Sequence, residues 1–186
     1  MSRLLSASFL RLRKDKLFWI GMLFMVAAGI FIPVMRYMDM QRSQYTVTLD
    51  NGFFVGSILI GIVSAAFCSL FIGTEYNDGT IRNKVVVGHT RVSIYMVNFI
   101  TVAVASVVMC VVYFIAYLCV GIPLLGFFEM EIKTALLLAL AVFMLAIAFS
   151  SIFTLISMLN QNKAITAVIC ILMAFSLLFI GAQLNK

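Results

Sequence analysis

The chain has 186 residues, 64% hydrophobic and 11% charged, with a net charge of +6. A soluble domain carries about 45–50% apolar and about 25% charged residues, so a water-soluble globule is excluded, and the mean hydropathy of +1.15 assigns most of the chain to lipid. The apolar runs are long and unbroken, whereas barrel strands alternate apolar and polar over about ten residues; the expected fold is therefore an all-α polytopic membrane bundle, whose helices satisfy their own backbone hydrogen bonds as lipid requires.

Residues 1–16 form a basic arm. Leu4, Leu5, Phe9 and Leu12 fall at near-helical spacing, with Arg11 and Lys14 on the remainder. This pattern predicts a short amphipathic helix lying in the membrane interface, in preference to a flank that only sets orientation. The first span, residues 17–35, is read as a retained anchor. Bulky residues, Ile32-Pro33-Val34-Met35-Arg36-Tyr37, stand where a cleavable signal would have small ones. Residues 36–51 are polar and external, and the sequence does not decide whether they are helical.

The second span, residues 53–73, carries Ser57, Gly61, Ala65, Ser69 and Gly73 at intervals of four. Small residues in this register let another helix approach closely, either one from the same chain or one from a second subunit. The third span, residues 92–122, lies in a run from Val92 to Phe128 that contains no charge. That run exceeds one straight crossing of about 30 Å, so tilt or a re-entrant tail is expected to absorb the excess. A turn follows, with Pro123, Gly126, Phe127, Phe128, Glu129 and Glu131 in an interfacial mixture of aromatics and carboxylates.

The fourth span, residues 134–159, ends in Ser150, Ser151, Thr154 and Ser157, and Asn160-Gln161-Asn162-Lys163 leads at once into the fifth, residues 164–182. A connection this short predicts an antiparallel pair. The hydroxyls are expected to bond to backbone or to neighbouring helices rather than to line a polar path. Cys68, Cys110, Cys119 and Cys170 all lie in apolar runs without metal-site spacing, so they read as small buried hydrophobes.

Lysine and arginine set the orientation. Nine of them (Arg3, Arg11, Arg13, Lys14, Lys16, Arg82, Lys84, Arg91 and Lys163) fall on one side, and four (Arg36, Arg42, Lys133 and Lys186) on the other. The N-terminus is therefore expected in the cytoplasm of a multi-pass protein of the cell membrane. The positive charge is mostly a topology signal, and nucleic acid is not an expected partner.

The loop of residues 74–91 is the most specific segment. Asp78-Gly79 is a turn dipeptide. Thr80 is expected to cap a helix of about two turns that Gly88 closes in the left-handed conformation, and Thr90 to cap the next span. Alone in water so short a helix is marginal. Ile81 and Val85 share one face, which suits either a groove in another protein or the lipid headgroups; the residues alone do not choose.

Glu75-x3-Gly79-Thr80-Ile81-Arg82-Asn83, followed by Gly88-x2-Arg91, resembles the loop between the first two core helices of type-2 ABC exporter permeases (the ABC-2 family). The resemblance extends to the basic arm, the order of spans and their spacing, and so to essentially the whole chain. Asn98 stands near a position where the family pattern often has lysine. The family usually has six spans and five are legible here, so the chain is read as truncated or as a short or incomplete subunit.

The resemblance implies an elbow helix in the arm and a coupling helix near Thr80–Val87 seated on a cytoplasmic ATPase. It further implies a hinge at Glu75, with a basic group of the arm or the ATPase as its partner. Gly79, Thr80, Ile81, Arg82, Val85 and Arg91 complete the expected coupling site, and a second permease half, identical or not, completes the pathway. No GxxxxGK[ST] phosphate loop is present, so ATP hydrolysis is expected in a separate chain. No catalytic residue, cofactor or metal is expected, and membrane lipids are the remaining partners.

Other classes fit less well. An intramembrane enzyme or an ion-coupled carrier uses ionisable groups at membrane depth, and the spans contain none. A non-transporting scaffold or sensor subunit is the alternative that the residues leave open.

Overall fold

The computed structural model describes residues 2–43, 49, 55–126, 130–160 and 162–184; the side chains of residues 2, 3, 43, 57, 178 and 180–184 are outside that description. The helices are α1 (Ser2–Lys14), α2 (Lys16–Ser43), α3 (Val55–Asn77), α4 (Thr80–Val86), α5 (Arg91–Leu125), α6 (Ile132–Leu159) and α7 (Lys163–Leu184). Four of them, α2, α3, α5 and α6, are long and apolar enough to cross a membrane. The last, α7, has 22 residues and is apolar through Leu177.

Helix α1 ends where Asp15 intervenes. The Asp15 carboxylate accepts from the Leu17 backbone N–H at 2.9 Å and caps α2, because the first N–H groups of a helix have no partner within it. Among the described side chains of α1, Ser8 and Leu12 are buried, with Leu4, Leu5 and Phe9 half-buried beside them. The face expected from the spacing is thus the one that packs, with Ser8 at its centre.

Helix α2 does not stop at Met35. It continues to Ser43, carrying Pro33 in its interior, so much of the polar stretch after the first span is helical. Its broadest contact is with α5, and Gly29 makes the approach close. A Cβ added there would lie 2.9 Å from the Tyr113 carbonyl oxygen and 3.2 Å from the Tyr117 nitrogen. The sequence reading did not single out Gly29, which has no small partner at intervals of four. At the far end the Tyr117 hydroxyl donates to the Leu49 carbonyl at 2.7 Å and fixes a fully buried loop residue against α5.

Helix α3 is the most enclosed span and touches α2, α4, α5, α6 and α7. An added Cβ on Gly61 would meet Phe149 of α6 at 3.0 Å, and one on Gly73 would meet Lys163 of α7 at 2.8 Å. Ala65 and Ser69 are fully buried. The described small residues of this helix therefore face neighbours within the same chain; the Ser57 side chain is outside the description. Lipid tails are as apolar as the helices, so close contact of this kind, rather than escape from water, holds such helices together.

Helix α5 runs unbroken for 35 residues, through Pro123. At 1.5 Å per residue that is about 52 Å, well beyond a hydrocarbon core of about 30 Å. No re-entrant tail occurs up to Leu125, and Phe127, Phe128 and Glu129 lie outside the described residues. Helices α6 and α7 touch as their short connection requires, but each packs more broadly on α3.

The serines and threonines at the end of α6 bond inside the bundle. Ser150 Oγ donates to the Ala146 carbonyl at 2.8 Å and accepts from the Ser106 hydroxyl of α5 at 3.0 Å. Cys68 Sγ lies 3.6 Å from Thr154 Oγ1 and 3.8 Å from Ser157 Oγ. Ser150, Thr154 and Ser157 are sealed from the surface, which makes them packing groups; each such bond is worth about 0.6 kcal/mol in lipid. Cys68, Cys110 and Cys170 are buried, but Cys119 is exposed, on the opposite face of α5 from Gly121 and Tyr117.

Candidate functional site

The end of the bundle where α3 stops and α5 begins carries most of its charged groups. The chain leaves α3 through a tight turn whose Gly79 has φ 65°, in the left-handed region that glycine adopts without strain. Gly79 is the N-cap of α4, and no side chain caps this helix. Thr80 was expected in that role. It is instead the first helical residue, and its hydroxyl donates back to the Glu75 carbonyl at 2.9 Å. This ties α4 to the last turn of α3.

Helix α4 ends as its sequence predicts. Gly88 has φ 94°. Its N–H donates to the Val85 carbonyl at 3.0 Å, and the His89 N–H donates to the Lys84 carbonyl at 3.1 Å. This pair of bonds is the Schellman arrangement, which satisfies the carbonyls of the last turn. Thr90 then caps α5, accepting from the Ser93 N–H at 3.3 Å.

Glu75 is the centre of the site. It is 2% exposed, and its carboxylate holds three other elements. Arg11 of α1 stands with Nη1 2.6 Å from Oε1. Lys84 of α4 donates to the same oxygen at 2.8 Å. Asn98 of α5 donates through Nδ2 to Oε2 at 2.9 Å. An ionised carboxylate only accepts hydrogen bonds, so the amide must present its NH2, and Asn98 Oδ1 is left buried with no hydrogen-bond partner. Arg11 also donates through Nη2 to the Phe71 carbonyl at 2.9 Å and to Thr74 Oγ1 at 2.5 Å, and its guanidinium lies 4.5 Å above the Phe71 ring. A planar fork fits such a set of acceptors where an ammonium would not. Tyr76 adds a bond from its hydroxyl to the Met158 carbonyl of α6, 2.5 Å.

The remaining expected residues divide by direction. Ile81 is half-buried, and Val85 with it lines a cavity between α4 and the ends of α5 and α6. Arg91 lines the same cavity from the first turn of α5. Arg82 and Asn83 are exposed, and so are Val86 at 78% and Val87 at 76%. Of the expected docking pair, Ile81 is thus half-buried toward the protein's own helices while Val85 stays 41% exposed, and the exposed residues of α4 are Arg82, Asn83, Val85, Val86 and Val87. A basic group of the arm or the ATPase was expected beside Glu75, and Arg11 takes that place; Lys84 and Asn98 were not expected there. Each is a polar residue ahead of or within an apolar stretch, and only the fold brings them to Glu75.

A family model described as ABC-2 family transporter protein matches residues 4–179. The chain belongs to this family. It is a transmembrane, permease-type component, and the match takes in α1, the four-element site around Glu75 and the apolar helices. No curated protein and no solved structure matches the permease. Among the described residues no cluster of histidine, cysteine, aspartate or glutamate could hold a metal.

Proposed function

We propose that the permease is the membrane half of an ATP-driven exporter. It forms half of the substrate pathway with a second permease half, and α4 is the coupling helix that seats on a cytoplasmic ATPase carried by another polypeptide. The observation that carries this reading is the ligation of Glu75 by Arg11, Lys84 and Asn98. One buried carboxylate joins α1, α3, α4 and α5, so a push on α4 cannot be absorbed locally and reaches two spans and the interfacial arm together.

In this topology the N-terminus is cytoplasmic, α7 is a fifth crossing, and α1 lies in the cytoplasmic interface. The partner's docking groove receives Arg82, Asn83, Val86 and Val87 with the exposed side of Val85, while Ile81 rests on the permease. ATP-driven closure of the two ATPase copies moves α4; α3 and α5 tilt as near-rigid rods, and the pathway between halves opens outward. The spans offer few charges to an ion, so the cargo has apolar character and leaves outward or laterally.

The test uses the permease reconstituted with its ATPase. Glu75→Gln removes the charge that binds Arg11 and Lys84, and Arg82→Pro breaks α4. Both variants insert normally, hydrolyse ATP, and lose transport per ATP by about fivefold or more, the range of ordinary coupling free energies. Normal transport by both variants refutes the assignment of this loop.

A further inference from the structure

The cavity under α4 has a volume of about 620 Å³, and its lining includes Ile81 of α4, Arg91, Val92 and Ile94 of α5, Leu155 and Leu159 of α6, and two tyrosines. Sites for small molecules run from about 300 to 1,000 Å³ and are mostly apolar with a few fixed polar groups. This one has a single cation, and among the described residues no ion pair reaches Arg91. The two tyrosine hydroxyls are turned to backbone, Tyr76 to Met158 and Tyr95 to Ser151 at 3.5 Å, so their rings present apolar surface.

Arg91 stands at the start of α5. A cation is the unfavoured sign at that end of a helix, and an anion beside it relieves both the side chain and the dipole. Val92, Leu155 and Leu159, at 71%, 51% and 77% exposure, open the cavity sideways along the surface of α5 and α6 rather than toward the bundle centre. A rim cation above an apolar slot open to the membrane complements an anionic amphiphile.

We infer that this cavity binds one anionic phospholipid of the leaflet that faces α4, with the phosphate at Arg91 and the upper part of an acyl chain against Ile81, Ile94 and Leu155. The lipid then wedges the coupling helix against α5 and α6, on the side away from its partner. This rests on the reading of α4 as the coupling helix only for its consequence; lipid binding itself is read without the ATPase.

The experiment is native mass spectrometry of the purified permease, after equilibration with equal amounts of phosphatidylglycerol and phosphatidylcholine. The wild type retains phosphatidylglycerol in preference. Arg91→Gln lowers that retention about fivefold, the contribution of one cation near an anionic lipid surface. Lys133→Gln, at the other end of the bundle on α6, leaves it unchanged, and excess inorganic phosphate does not displace the lipid.

Equal retention by wild type and Arg91→Gln overturns the site, as does an equal loss in Lys133→Gln. Displacement by phosphate assigns Arg91 to a free anion and overturns the lipid. A disulfide between two Val92→Cys chains, with lipid retention indifferent to Arg91, gives the cavity to a second copy and overturns it too. Loss of lipid preference in Arg91→Gln alongside normal transport by the Glu75 and Arg82 variants would sustain the lipid site and sink the coupling helix; the reverse pair of results would do the opposite.

Discussion

Glu75 concentrates the residue-scale consequences, because it is buried and charged at once. Removing one member of a buried ion pair strands the other, at a cost of about 3–5 kcal/mol. Arg11 and Lys84 keep partial access to water, with side-chain exposures of 29% and 18%, so the penalty falls hardest when Glu75 is the group left behind. Asn98→Leu leaves Oε2 without its donor and is expected to destabilise by about 1.5–3 kcal/mol, the worth of a hydrogen bond to a charge. Asn98→Asp sets a like charge against the carboxylate and is expected to do more damage than leucine. Thermal unfolding in detergent checks the order; equal midpoints for the two variants would show that Asn98 does not ligate Glu75. Glu75 itself was singled out by its place in the Glu75-x3-Gly79 motif that carries the resemblance. The same resemblance implied a basic group of the arm or the ATPase as its partner, the place Arg11 takes; Lys84 and Asn98 were not legible, because spacing along one helix says nothing about contacts between helices.

At the scale of elements, local signals predicted local structure and missed what neighbours impose. The Asp78-Gly79 turn, the Gly88 stop and the Thr90 cap stand as the sequence implies, since each acts within a few residues of itself. Thr80 failed as a cap because Gly79 already occupies the N-cap and the hydroxyl finds the Glu75 carbonyl instead. Whether residues 36–51 are helical was undecided from the sequence, because polar residues neither end nor extend a helix by themselves; Arg36–Ser43 continues α2 beyond its apolar part. Gly88→Ala is expected to destabilise α4 by more than about 1 kcal/mol, because alanine is strained where φ is positive. Amide exchange of residues 80–87 should quicken accordingly, and unchanged protection would remove Gly88 from the account. Gly29→Val drives a side chain into the backbone of α5, 2.9 Å from a carbonyl oxygen. Overpacking of this kind costs about 1–3 kcal/mol. Gly61→Ala meets only the edge of the Phe149 ring at 3.0 Å, and it should lower the unfolding midpoint less than Gly29→Val does.

Across the whole molecule, composition and run length were enough for an all-α membrane bundle, because lipid leaves so few ways to satisfy a backbone. The packing order was not legible. Five apolar runs allow many arrangements, and only the fold makes α3 the hub and turns its small residues toward α6 and α7. The spacing of Ile81 and Val85 also could not say how α4 is seated: Ile81 is half-buried against the body of the permease, while Val85, Val86 and Val87 are exposed. The central claim is that this exposed face meets a cytoplasmic engine. It is tested most directly by placing cysteine at Val87 and a control cysteine at Ile132, which is exposed at the opposite end of α6, in a background where Cys119 is serine, and adding a membrane-impermeant maleimide. The account predicts that Val87→Cys reacts in inside-out vesicles and not in intact cells, that Ile132→Cys does the reverse, and that the ATPase protects Val87→Cys. Labelling of Val87→Cys in intact cells would contradict it.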